Sequence, residues 1–147
     1  MHAYWANNGL YEPGEMIPPG NWGRVVMGAG ALHSWYSIEM FFEAVRRAEF
    51  PDAPSRLKSL MISDDEMAGR AWVQRERNLF YEVALANEPS KLDVGWINQY
   101  INGATHSYEE ALEFARHYWA GDVCEFEGAS QFELLTEQPA TVVRRIP

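Results

Sequence analysis

Seven side chains have the types and spacing of a polar ligand site: His2, Tyr4, Ser55, Arg56, Ser59, Gln131 and Glu133. In "SQFELL", Gln131 and Glu133 stand two residues apart. Side chains alternate between the faces of a strand, so on an extended segment both project the same way. His2 and Tyr4 share a face of a short first strand for the same reason. Ser55, Leu57 and Ser59 do so if "SRLKSLMIS" is extended. A carboxylate beside a same-face amide, with a histidine and hydroxyls from other strands, suits a polar ribose-type ligand. The plainer alternative stays open: these residues cap or edge a sheet, and Glu133 is solvated.

Other chemistries find less support. His2, His33, His106 and His117 are scattered and form no H-E-x-x-H pair, so no metal is expected. Glu113, four residues before His117, reads as a surface helix pair. There is no G-x-S-x-G elbow, and the single cysteine, Cys124, reads as a small apolar residue of a strand core. "GAGALHS" is too poor in glycine for a dinucleotide fingerprint and reads as a lead into a helix. Glu125, Glu127 and Glu133 could serve glycoside hydrolysis, but their spacing defines no separation across a cleft.

The formal charge of −9, from 12 basic and 21 acidic residues, repels phosphate backbones. Arg46-Arg47, Arg75-Glu76-Arg77 and Arg144-Arg145 are too short to make a nucleic-acid footprint, although one or two arginines can hold a small anion. No apolar run approaches the roughly 18 residues of a membrane span. The opening "MHAYWANNGLYEPGE" has neither a basic leader nor an apolar signal core. With one cysteine, these features lead to the expectation of a cytoplasmic protein.

The elements that must position the candidates follow from periodicity. The 147 residues suit a single domain, 1–147. His2–Trp5 reads as a strand and residues 7–30 as a long loop of the ligand-binding or surface kind. Ser37 is the expected N-cap of a helix whose apolar face is Ile38, Phe41, Phe42, Val45 and Ala48, ended by Pro51. "SRLKSLMIS" reads as a strand. Ser63-Asp64-Asp65-Glu66 is a capping-box pattern for a helix to about Arg77. "LFYEVALA" alternates Leu79, Tyr81, Val83 and Leu85 on one face. "KLDVGWINQYI" is ambiguous between a short helix and a turn. A second capping box, Ser107 to Glu110, starts a helix closed by Gly121. "VCEFE", "QFELL" and "ATVVRRI" read as extended. Strands bunched at the end favour α+β over a regular βαβ repeat.

"MHAYW", "EMFFEAVRRAEFPDAPSRLKSLM", "HYWAG" and "FELL" together resemble a small phage and bacterial family associated with the ADP-ribosyltransferase superfamily. The resemblance implies two small, mostly antiparallel sheets around an NAD+ cleft, with helices outside. It implies that His2, with Tyr4 beside it, holds the adenosine-side ribose, that Ser55 and Ser59 lie near the nicotinamide ribose, and that Arg56 meets the diphosphate. Gln131 and Glu133 match a Gln-x-Glu arrangement in which the glutamate contacts the nicotinamide ribose and the glutamine orients the acceptor. Tyr4, Tyr36, Phe42 and Tyr81 are the aromatic candidates for stacking on nicotinamide. The implied activity is transfer of ADP-ribose from NAD+ to an intracellular acceptor, a protein rather than a nucleic acid, or to water. "SRLKS" stands where the toxin-like branch has Ser-Thr-Ser.

A second class of function is a non-catalytic acidic interaction protein, of the inhibitor or immunity type. In that reading Trp22, Trp35 and Trp96 are exposed anchors for a partner.

Overall fold

A computed structural model describes residues 1–76, 79–103 and 107–147. Among the described residues seven strands and five α-helices form an α+β fold built on two antiparallel sheets. The strands are β1 (His2–Asn7), β2 (Met16–Ile17), β3 (Leu60–Ile62), β4 (Leu79–Leu85), β5 (Ser90–Asp93), β6 (Phe132–Thr136) and β7 (Ala140–Ile146). The helices are α1 (Asn21–Ala29), α2 (Tyr36–Glu49), α3 (Glu66–Glu76), α4 (Gly95–Asn102) and α5 (Tyr108–Ala120). The larger sheet has the order β1-β4-β7-β2 and the smaller one β3-β6-β5. An isolated bridge, Tyr4 to Ser63, joins them through mutual backbone bonds of 2.7 and 2.8 Å.

Two apolar cores explain the layering. Ala3, Trp5, Tyr81, Val83 and Val142 of the large sheet pack against Leu60, Ile62 and Leu134 of the small one. On the other side of the small sheet, Leu92 and Leu135 pack against Phe42 and Val45 of α2, Ile97 of α4, and Ala115, Tyr118 and Trp119 of α5. The central strand β6 is therefore covered on both faces, and Glu133, Leu134, Leu135 and Thr136 are all buried. Helix α3 covers the outer face of the large sheet, where Tyr4 stacks on Phe80 and Gly69 lies against both.

Several elements form where periodicity places them. β4 alternates as expected, with Tyr81, Val83 and Leu85 inward. α5 has the full capping box: Ser107 Oγ accepts from the Glu110 amide, Glu110 accepts from the Ser107 amide, and Gly121 closes the helix at φ 77°.

Others differ, each for a tertiary or local reason. The span 7–30 is not one loop. It contains β2, paired to β7, and α1, which starts from Gly20 at φ 85° without a side-chain cap. α1 forms because Gly23 lets its backbone lie on the Leu57 carbonyl; a Cβ there would sit 1.9 Å from that oxygen. Trp35, not Ser37, holds the N-cap position of α2. On that helix Ala48 is exposed, while Glu39, Glu43 and Arg46 are buried at i, i+4 and i+7. β3 is only three residues long, because residues 56–59 form a turn pinned by buried polar contacts. Asp65 caps α3, accepting from the Ala68 amide at 2.8 Å, and Arg77, the expected end of that helix, lies outside the described residues. "KLDVGWINQYI" divides into β5 and α4, and "VCEFE" is not a strand. No helix among the described residues is long and apolar enough to cross a membrane.

Candidate functional site

The turn 55–59 places three expected site residues, and only two of them reach the same space. Ser55 is buried away from it: its Oγ donates to Glu43 at 2.9 Å and its amide to Glu137 at 2.8 Å. Arg56 and Ser59 turn the other way, into a cleft of about 450 Å³. Gln131 and Glu133 reach that cleft from the start of β6, as period-two alternation requires. Asn98 of α4, Asn21 and Trp22 of α1, and Trp35 before α2 complete the wall, with Trp5 to Asn8 at the end of β1.

Glu133 is 2 % exposed and held by two donors. Tyr118 Oη donates to its Oε1 at 2.6 Å, and Arg56 Nη1 donates to the same oxygen. Among the described residues Oε2 accepts no hydrogen bond, and the carboxylate lines the cleft. Arg56 is shared: its Nε lies 3.1 Å from both oxygens of Glu39, and its Nη2 is 3.1 Å from Glu39 Oε1. Trp22 Nε1 donates to Glu39 at 2.7 Å. A continuous chain therefore runs Trp22, Glu39, Arg56, Glu133, Tyr118. Its two carboxylates face one guanidinium.

The protonation of the donors follows from their surroundings. Burial opposes the charge on Arg56, but the adjacent Glu133 and Glu39 outweigh it and push its pKa well above the usual value. Burial, then the neighbouring charge of Glu133, pushes the Tyr118 phenol well above its ordinary value, so Tyr118 stays a neutral donor. Burial also raises the Cys124 thiol, which keeps it from being a thiolate nucleophile.

A second buried carboxylate sets the approach of Gln131 to the cleft. Asp93 is fully enclosed and accepts four hydrogen bonds, from the amides of Gly95, Cys124 and Gln131 at 2.9, 2.9 and 2.8 Å and from Ser130 Oγ at 2.6 Å. Burial would raise its pKa; these four donors outweigh burial and lower it. Ser130 is thus a fastener for the loop and not a site residue.

His2 and Tyr4 are not brought to the cleft. They do share a face of β1, but it is the outer one: Ala3 and Trp5 take the core side. His2 is exposed and bonds Glu82 at 2.6 Å, and Glu82 also pairs with Arg144. The expected contact of Arg56 with a diphosphate would have to compete with Glu39, Tyr118 and Glu133 for its donors. Of the aromatic candidates, Tyr4 lies under α3, and Phe42 and Tyr81 are fully buried in the two cores. The cleft is lined instead by Trp5, Trp22 and Trp35. Trp22 packs edge-on to Trp35 at 6.0 Å and to His33 at 5.3 Å. Trp96, an anchor in the interaction reading, is buried, with Nε1 donating to the Asp122 carbonyl.

Glu39, Tyr118 and Asn98 were missed from sequence, and Trp22 and Trp35, expected as exposed anchors for a partner, are half-buried in the cleft wall. Glu39 and Glu43 carried a signal, two acids at i and i+4 beside an apolar helix face, but such a pair is ordinarily solvated. No group of three or more His, Cys, Asp or Glu that could hold a metal is present among the described residues; His106 lies outside them.

Residues 25–147 match the family model described as "Protein of unknown function (DUF2441)". The chain belongs to the DUF2441 family. No curated protein matches it. The DUF2441 match includes Trp35, Glu39, Arg56, Ser59, Tyr118, Gln131 and Glu133, and leaves His2, Tyr4 and the start of α1 outside.

Proposed function

We propose that this DUF2441 chain is an NAD+-dependent ADP-ribosyltransferase, with Glu133 facing the nicotinamide ribose and Gln131 orienting the acceptor. One observation carries the reading. Glu133 is a braced carboxylate lining a cleft, its Oε2 accepting no hydrogen bond among the described residues, and Gln131, just before β6, lines the same cleft. Breaking the nicotinamide–ribose bond develops positive charge on the sugar. A fixed carboxylate bonded to the ribose 2′-hydroxyl stabilises that charge as it forms. Arg56 and Tyr118 hold Oε1, so the remaining oxygen needs little reorganisation on reaction. Ser59 and Asn98 take the ribose-holding part expected of His2, and Arg56 acts as a brace before it acts on any phosphate. The net charge favours a protein acceptor over a nucleic acid, inside the cell.

The test is nicotinamide release from NAD+ by the purified protein, with water or a cell extract as acceptor. Glu133→Gln should lower the rate about 10²–10³-fold, the usual effect of losing one preorganised electrostatic contact. Gln131→Ala, on a half-buried side chain, should reduce transfer more than hydrolysis. A folded wild type that releases no nicotinamide with any acceptor refutes the reading.

The alternative, a non-catalytic acidic interaction protein, draws on three exposed apolar side chains of one segment, Val25, which lines the cleft, Met27 and Leu32. Absence of any heat or thermal shift on titration with NAD+ selects it.

A further inference from the structure

We propose that the cleft docks a short extended polypeptide segment, held by its main chain between the edges of the two sheets. The proposal deepens the reading above by naming how a protein acceptor is met, and the binding it describes needs no NAD+.

The free edges follow from the strand register. The Leu85 amide donates to the Met1 carbonyl, so odd-numbered residues of β1 turn their N–H and C=O to β4. Even-numbered residues turn theirs to the opposite edge. There Tyr4 exchanges both bonds with Ser63, and Ala6 faces the same way. On the small sheet the Val94 amide donates to the Gln131 carbonyl. Odd-numbered residues of β6 therefore address β5, and Leu134 and Thr136 address β3. Their partners there are Ile62 and Leu60. The N–H and C=O of Met61 thus point away from β6, to the edge that Ser63 uses. The Gly20 amide ends this edge on the Ser59 carbonyl.

Beyond the isolated Tyr4–Ser63 bridge, β1 and β3 are not paired among the described residues, and Ala6 and Met61 both line the cleft. Each presents a donor and an acceptor there, the arrangement that an added strand takes up. The bridge is the start of the pairing that such a strand continues.

Side chains supply a second, independent set. Asn8, Asn21, Asn98 and Gln131 reach the same cleft from four separate segments. Among the described residues none of their carboxamides has a hydrogen-bond partner. A carboxamide carries a donor and an acceptor side by side, so it pairs at two points with a main-chain amide. Sugar hydroxyls would satisfy these amides alone, whereas the two strand edges set their groups at the repeat of a polypeptide.

The experiment measures wild-type binding to an array of capped hexapeptides, then titrates the tightest member in solution by calorimetry. Binding should be saturable. N-methylating alternate amides of that peptide removes donors, keeps the side chains, and should weaken it about tenfold or more. Ala6→Pro removes one free N–H and no ladder bond, a change that edge strands tolerate, and should weaken the peptide about three- to tenfold. Asn98→Ala, at a half-buried helix position, should act in the same direction and serves if Ala6→Pro is unstable. No saturable binding across the array, or a best peptide indifferent to both N-methylation and Ala6→Pro, overturns the inference. So does binding of maltohexaose with no peptide bound, or a dimer of this chain that Ala6→Pro dissolves. Peptide binding without nicotinamide release from NAD+ would sink the transferase reading and leave this one standing. Release without peptide binding would do the reverse.

Discussion

Replacing Arg56 with Met tests whether the buried chain from Trp22 to Tyr118 is built around that one cation. Arg56 is 4 % exposed, and Glu39 and Glu133 are each 2 % exposed. The substitution keeps most of the side-chain volume and leaves two carboxylates enclosed with no positive charge between them. Removing one partner of a buried ion pair costs about 3–5 kcal/mol. At about 0.05–0.15 kcal/mol per residue, a chain of 147 residues has roughly 7–20 kcal/mol of stability. The loss is thus a large fraction of the whole. It corresponds to about 6–20 °C in Tm, at about 2–4 °C per kcal/mol for a domain of this size. Urea unfolding at pH 7 followed by circular dichroism should show the midpoint fall with the slope m unchanged. Adding Glu39→Gln to Arg56→Met should recover part of the loss by removing one of the stranded charges. An Arg56→Met protein within about 1 kcal/mol of wild type, or a double variant no better than the single, would refute the account of this group.

Further outcomes follow from other sites. Glu43 is held at about 2: burial would raise its pKa, but hydrogen bonds from Arg46, Arg47 and Ser55 outweigh that. Its folded pKa lies below the unfolded value, so its contribution of about 1–3 kcal/mol is present above pH 4.5 and is lost as pH falls towards 2. Glu43→Gln should flatten that part of the stability–pH curve. Gly23→Ala should cost about 3 kcal/mol or more, since its Cβ meets the Leu57 carbonyl at 1.9 Å. The displaced α1, whose Asn21, Trp22 and Val25 line the cleft, should also weaken binding in a calorimetric titration with NAD+. Ser107→Ala removes half of the capping box of α5 and should lower stability by about 0.5–2 kcal/mol with m unchanged in urea.

What was legible in the sequence was local. The capping box of α5 and the alternation of β4 are set by residues a few positions apart, and both formed as read. The shared face of Gln131 and Glu133 was legible for the same reason. Period two does not say which face looks inward, and for His2 and Tyr4 the answer depends on α3 and the small sheet covering opposite sides. Helix α1 was hidden because it has no side-chain cap and relies on a glycine lying against a carbonyl 34 positions away, from Gly23 to Leu57. The acids of α2 looked solvated because their partners, Arg56 and Ser55, come from a turn that itself read as a strand.

The Asp93 fastening has a consequence for motion. Residues 122–131 contain no helix or strand, so their amides would ordinarily exchange with solvent deuterium within seconds to minutes. The Cys124 and Gln131 amides instead end on an enclosed carboxylate. They should exchange as slowly as the strand amides of β6, opening only when that strand opens. The loop would then open at Glu125–Gly128 between two slowly exchanging points, the second of which carries Gln131 into the cleft.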